Sequence, residues 1–172
     1  MSNFKIAMAL QPSAAQLLGL LVAVPDIARK EFTRAGWEGS MLLQRETQEE
    51  TPTGVGAGGG LRGSIIAIKP VVSALNIEAG AGTSAAHAIP VELGSKPHRP
   101  PVKPLEDWAH LKLGLPYDEA AAAAWRIASA ISRRGTKPAH MFKRAFERNR
   151  GQVQRIFEKA GARVRDQAGR RR

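Results

Sequence analysis

Between Thr51 and Ser95 lies the only convincing β pattern of the chain, and on either side of it the sequence reads as helix. The stretch begins with the flexible run Thr51-Pro-Thr-Gly-Val-Gly-Ala-Gly-Gly-Gly and ends in the turn Val91-Glu-Leu-Gly-Ser95. Leu61 to Lys69 alternates as a strand that Pro70 ends, and Val72 to Ala79 opposes Leu75 and Ile77 to Asn76 and Glu78. These two are expected to form an antiparallel pair. Ala88 to Leu93 supplies a third strand in which Pro90 suits an edge or a bulge. Three strands need a helix over one face to be stable, so the chain is constrained to an α+β fold: a small antiparallel sheet of three to four strands between a long N-terminal helix and a helical C-terminal part.

The helices follow from periodicity. Ser13 can cap a first helix whose Leu17, Leu18, Leu20 and Leu21 cover most of its circumference. Pro25 restarts the chain into a long amphipathic helix, with Ala28, Phe32, Ala35, Gly39 and Leu42 on one face and Arg29, Lys30, Arg34 and Arg45 on the other. Thr51-Pro52 ends it, because the residue before proline is pushed out of the helical region. After the sheet, the segment 96–104 is proline-rich and semi-rigid. A short helix from Pro104 to Leu113 then carries Leu105 and Trp108 on one face and stops at Gly114. Glu119 to Arg133 is an alanine-rich helix with Ala124, Ile127, Ala128 and Ile131 in line. From about Pro138 to Arg165, Phe142, Phe146, Asn149, Val153, Ile156, Phe157, Ala160 and Val164 step by three and four, opposite a face of Lys and Arg. The expected organisation is one domain over 1–172: helices over 13–50, sheet and extended loops over 51–95, the proline-rich connection over 96–104, helices over 105–165 and a basic tail over 166–172.

The 172 residues include 43% hydrophobic side chains, enough for a core, while 17 glycines and 11 prolines imply long connections. Without cysteine there is no disulfide framework, thiolate metal site or cysteine nucleophile. The apolar run from Ala14 to Pro25 is too short for a membrane span and reads as a core helix. Charge is sharply localised. Residues 126–172 hold 15 Lys and Arg against 3 acids, whereas residues 1–125 hold 11 against 12. Such an imbalance suits nucleic acid, an acidic protein surface or an anionic membrane, or else a solvated helix face. Arg144, Arg148, Arg155 and Arg163 are expected to share the side of the last helix that faces away from its apolar stripe, free to meet DNA or an acidic partner.

No constellation carries a reaction. Gly54, Gly56 and Gly59 spell a dinucleotide fingerprint, but a helix precedes them and a strand follows, the reverse of what that fingerprint needs. His87, His98, His110 and His140 lack the spacing of metal ligands, and Ser64 is outside a nucleophile elbow. Glu106 with Asp107 and Asp118 with Glu119 lie at helix starts, where carboxylates favour the dipole without catalytic purpose. The expectation is a protein without enzymatic activity, metal or cofactor.

The ordered set of motifs resembles a known family. Leu61, Arg62, Ser64 and Ile65 match a Thr-Gly-x-Leu-Arg-x-Ser-Ile pattern. Val91, Glu92, Gly94 and Ser95 match an aromatic-Ala-x-x-Val-Glu-x-Gly-Thr pattern, and Gly135, Thr136, Met141, Phe142, Ala145 and Phe146 match an Arg-Gly-Thr segment that leads into Phe-Met-x-x-Ala-Phe and a long helix. Together they resemble the tailed-bacteriophage neck and minor tail, or tail-completion, proteins, the family of the lambda minor tail protein Z. The departures are a longer Gly loop and His87-Ala88 in place of aromatic-Ala. The resemblance implies a structural protein of the virion, assembled in the host cytoplasm, that forms a homo-oligomeric ring at the head-to-tail junction. A sixfold ring would match a tail tube, touch neighbouring neck and tail proteins and surround the DNA channel without a membrane. The alternative from composition alone is a basic nucleic-acid-binding protein using its last helix. Glycine-rich segments 52–60 and 80–87 are expected to be mobile arms that order on a neighbour.

Overall fold

The computed structural model describes residues 4–5, 13–52, 60–73 and 76–170. In chain order the elements are β1 (Phe4–Lys5), α1 (Ser13–Ala23), α2 (Pro25–Glu50), α3 (Gly60–Ser64), β2 (Ile66–Val72), β3 (Ile77–Thr83), α4 (Ala88–Leu93), α5 (Val102–Leu113), α6 (Tyr117–Arg134) and α7 (Met141–Gly169). The fold is α+β. The sheet is antiparallel with order β1-β3-β2, the short β1 pairing Phe4 with Thr83. The side chain of Ser13, the Gly54–Gly59 fingerprint and Leu75 lie outside the described residues.

Helix α2 is the spine. Its buried stripe, including Ile27, Ala28, Phe32, Ala35, Gly36, Gly39, Leu42 and Leu43, packs on the sheet on one side and along α7 on the other. Helix α7 closes the core with Met141, Phe142, Val153, Ile156, Phe157, Ala160 and Val164, while α1 lays Leu17 and Leu21 into the same cluster. Burial of this apolar stripe, at roughly 25 cal/mol per Å², holds two long helices whose remaining faces are polar.

The sheet lies unusually close to α2, and small residues allow it. A Cβ on Gly36 would come within 2.7 Å of Pro70. Pro70 sits in a one-residue bulge, where the register shifts between the pairs Ile68 with Gly80 and Val71 with Glu78. Next to it the fully buried Ser40 replaces a ladder bond: its Oγ accepts from the Gly80 N–H at 2.8 Å and donates to the Ile68 carbonyl at 2.9 Å. Ser40→Ala is therefore expected to leave a buried donor and acceptor unpaired and to lower stability by about 2 kcal/mol in a denaturant titration.

Four sequence expectations are corrected here. Leu61 to Ser64 is a helical turn, with the strand starting at Ile66. Ala88 to Leu93 is helix α4; Pro90 stands in its first turn, where a missing N–H costs nothing. The third strand is instead β1. Gly80 to Thr83 is the buried end of the central strand β3, so the first half of 80–87 is no loose arm, with the Gly80 N–H bonded to Ser40 of α2, while Ser84, Ala86 and His87 are exposed in the turn that follows. Finally, α7 continues through the expected tail as far as Gly169.

Helices α5 and α6 form a hairpin that packs substantially only on itself, through Ala109, Ala120, Ala124 and Ala128. Alanine every fourth residue lets the two backbones approach closely. None of these alanines belongs to the main core cluster. The hairpin is an arm.

Candidate functional site: a cap junction and the arm that leaves it

The residues matched by the family motifs converge at one end of the body, where α2 ends and α7 begins. Arg62 folds over the C-terminus of α2, donating from Nε to the Gln48 carbonyl at 2.5 Å and from Nη2 to the Glu49 carbonyl at 3.1 Å. A cation on terminal carbonyls satisfies acceptors that the helix cannot and complements its dipole. Leu61 and Ile65 are buried in the core, Ile65 fully, and the Ser64 hydroxyl lies 2.8 Å from the Leu61 carbonyl and 2.7 Å from Thr83 Oγ1. Gln44 and Gln48 of α2 each donate to the Ile65 carbonyl at 3.0 Å.

Glu92 does the converse for α7. His140, at the N-cap, has φ 51° and gives no side-chain cap. The Glu92 carboxylate takes its place, accepting from the Phe142 N–H at 2.9 Å and the Lys143 N–H at 3.1 Å. It is only 2% exposed. The Val91 and Glu92 carbonyls also accept from the Ala139 and His140 N–H groups. Met141 is fully buried, with its sulfur 3.2 Å from the Thr51 hydroxyl, Phe142 is buried and Phe146 is half-buried against the core.

The arm springs from this junction. Ser95 and Thr136 exchange backbone bonds of 3.2 and 3.1 Å across an isolated antiparallel bridge. Flanking them, Gly94 has φ 76° and Gly135 φ 70°. At the far end, the His110 and Tyr117 rings stack at 3.9 Å, and His110 Nδ1 lies 2.7 Å from the Leu115 carbonyl, fixing the turn between the helices. The arm buries little and exposes much: Leu111 is 65% exposed, Leu113 53% and Trp125 67%. Beside its base an open cavity of about 400 Å³ is lined by Arg99, Pro100, Trp125, Ser129 and Ser132 among others.

The four arginines expected to lie free divide. Arg144 and Arg148 both pair with Glu50, the former at 3.1 Å, and Arg163 Nε donates to Glu31 at 2.6 Å. Arg155 is exposed and makes no ion pair among the described residues. Acidic residues of α2 thus hold α7 by its flank, joined by Glu46, which accepts from Asn149. The hydrogen bonds from Arg163 and then Gln167 hold the Glu31 carboxyl below its ordinary value of 4.5 despite burial. Since the folded value is the depressed one, this contact stabilises the protein above the ordinary carboxylate range and is lost as pH falls through the folded value. Arg163→Ala should cost about 2 kcal/mol near neutrality and less in acid, as read from melts across pH.

Comparison with protein-family models, curated proteins and solved structures finds no match. Among the described residues no group of three or more His, Cys, Asp or Glu could hold a metal ion, and no helix is long and apolar enough to cross a membrane. The sequence motifs mark caps and close approaches of the fold. The exposed arm residues Leu111, Leu113 and Trp125 were not singled out by periodicity, although Trp125 falls off the alanine stripe of α6 and could have drawn notice.

Proposed function

We propose that the chain is a structural subunit of the phage head-to-tail junction, assembling into a closed ring that joins tail to head around the DNA channel. The observation that carries this reading is the arm. A two-helix hairpin whose buried contacts are mostly alanine gains little stability from itself, yet it holds two leucines and a tryptophan in water. Such a surface is suited to burial against another subunit. The capped junction at its base sets its direction, as a repeated contact of one geometry requires if it is to close about an axis. The motif resemblance supports the more specific placement in the neck, because the matched residues Arg62, Glu92, Gly94 and Gly135 all hold that junction together.

A nucleic-acid-binding reading draws on the net charge, but three of the four arginines that would serve it are engaged by Glu31 and Glu50. Light scattering on the purified protein tests the assembly reading. The expected result is a mass that rises with concentration in multiples of 18.5 kDa towards a single closed species. A monomer at every concentration, with no copies in particles, would count against it.

A further inference from the structure

We infer that the α5–α6 arm of one copy seats on the exposed basic flank of α7 in the next copy. This rests on the ring reading and names the two surfaces that would meet. At the far end of the arm Asp118 and Glu119 are exposed and make no ion pair among the described residues, and Leu111 and Leu113 stand exposed at the same end. On α7, Arg155 and Lys159 are exposed one turn apart and likewise unpaired among the described residues. The carboxylates of α2 that reach α7 are engaged by other residues, Glu31 by Arg163, Glu46 by Arg45 and Asn149, and Glu50 by Arg144 and Arg148.

The balance of charge agrees. Residues 102–125 hold two Lys against four Asp and Glu, whereas residues 141–169 hold eight Lys and Arg against three acids. The like charges nearby are Lys112 and Lys103 on the arm, the latter paired with Glu106 and Asp107 and lying 5.6 Å from the Tyr117 ring centre, and on α7 Glu158, which accepts from Gln154. Within one chain the arm has no substantial packing against α7. Complementary surfaces that do not meet in one copy and lie on different elements make a head-to-tail contact, the kind that generates rings. Opposite charges at its rim would set orientation and partner choice, with the leucines supplying the buried centre.

The chain has no cysteine, so engineered pairs report cleanly. Glu119→Cys combined with Lys159→Cys, oxidised at a concentration where oligomers form, is expected to give covalent multimers in steps of 18.5 kDa. Each single variant should stop at dimers or fewer. Asp118→Lys with Glu119→Lys should reduce the assembly to monomers, with a slightly lower melting temperature because cations at the start of α6 oppose its dipole, and adding Arg155→Glu with Lys159→Glu should restore the assembly. Oligomers that form without the cross-link and ignore the charge reversal would overturn the contact while leaving the ring intact. Monomers throughout would overturn both, and a disulfide confined within one chain would show an arm that folds back on its own body. Duplex DNA binding that Arg155→Glu with Lys159→Glu abolishes, at unchanged oligomer mass, would assign the basic flank to DNA and likewise overturn the contact.

Discussion

Replacing Gly135 by alanine is expected to be the most damaging single change in the chain, costing at least about 4 kcal/mol and leaving little soluble, folded protein. Two penalties coincide there. The residue has φ 70° and ψ −158°, a region of backbone space that only glycine occupies readily. A Cβ would also lie 1.8 Å from the Ser95 carbonyl oxygen and 2.9 Å from two backbone carbons, none of which can swing aside as a side chain could. Relief would require the Ser95–Thr136 bridge to open and the arm to detach from its fixed angle. Gly114 is the control. Its φ is 66° with ψ 21°, in the left-handed helical region, and nothing lies within 4 Å of a Cβ built on it. Gly114→Ala should cost only about 1 kcal/mol, so thermal melts of the two variants separate the close approach from the backbone preference.

Glu92→Ala should be the second largest effect, about 3 kcal/mol, because it strands two N–H groups at the start of α7 and removes the anion from the positive end of a 29-residue helix. Glu92→Gln keeps the shape and one carbonyl acceptor while turning an amide NH2 towards an N–H donor. It should cost about half as much. If the carboxylate acts as the cap, helix loss on denaturation will begin in α7, and hydrogen exchange in the alanine variant will be faster over 141–145 than in the rest of the helix. Equal protection in both would show that packing of Met141 and Phe142 holds this end without the cap.

The long helices were legible because their apolar spacing persists over many turns: α2 begins at Pro25 and ends before Thr51-Pro52, as the sequence requires. Short elements were not. Leu61 to Ser64 alternates like a strand, but Arg62 is needed over the end of α2, a demand made by residues 13 and 14 positions away that no local window contains. Ala88 to Leu93 carries β-branched residues and a proline, yet Glu92 must reach the start of α7 some 50 residues on, and a helical turn aims it there. Gly80 to Thr83 looked like a linker because glycine usually means freedom. Here it means proximity, since Ser40 bonds directly to the Gly80 backbone.

The candidate site was half legible for the same reason. The charge of α7 is plain in the sequence, but whether an arginine is free depends on what the opposing helix offers. Glu31 and Glu50 come from α2, more than 90 residues away, so Arg144, Arg148 and Arg155 all stay exposed but only Arg155 of the four is without an ion pair among the described residues. The arm could be drawn as two helices, but its separation from the body follows from the alanine stripe pairing with itself, and from glycine at both sides of its root.

The central claim is that this chain works as a repeated subunit. Imaging of the purified protein by cryo-electron microscopy, at concentrations where its mass exceeds one chain, tests this most directly. The account predicts closed rings of cyclic symmetry, sixfold to match a tail tube, with each arm lying across the α7 of its neighbour. Class averages showing only single copies, or oligomers in which the arms project into solvent and touch no neighbour, would contradict it.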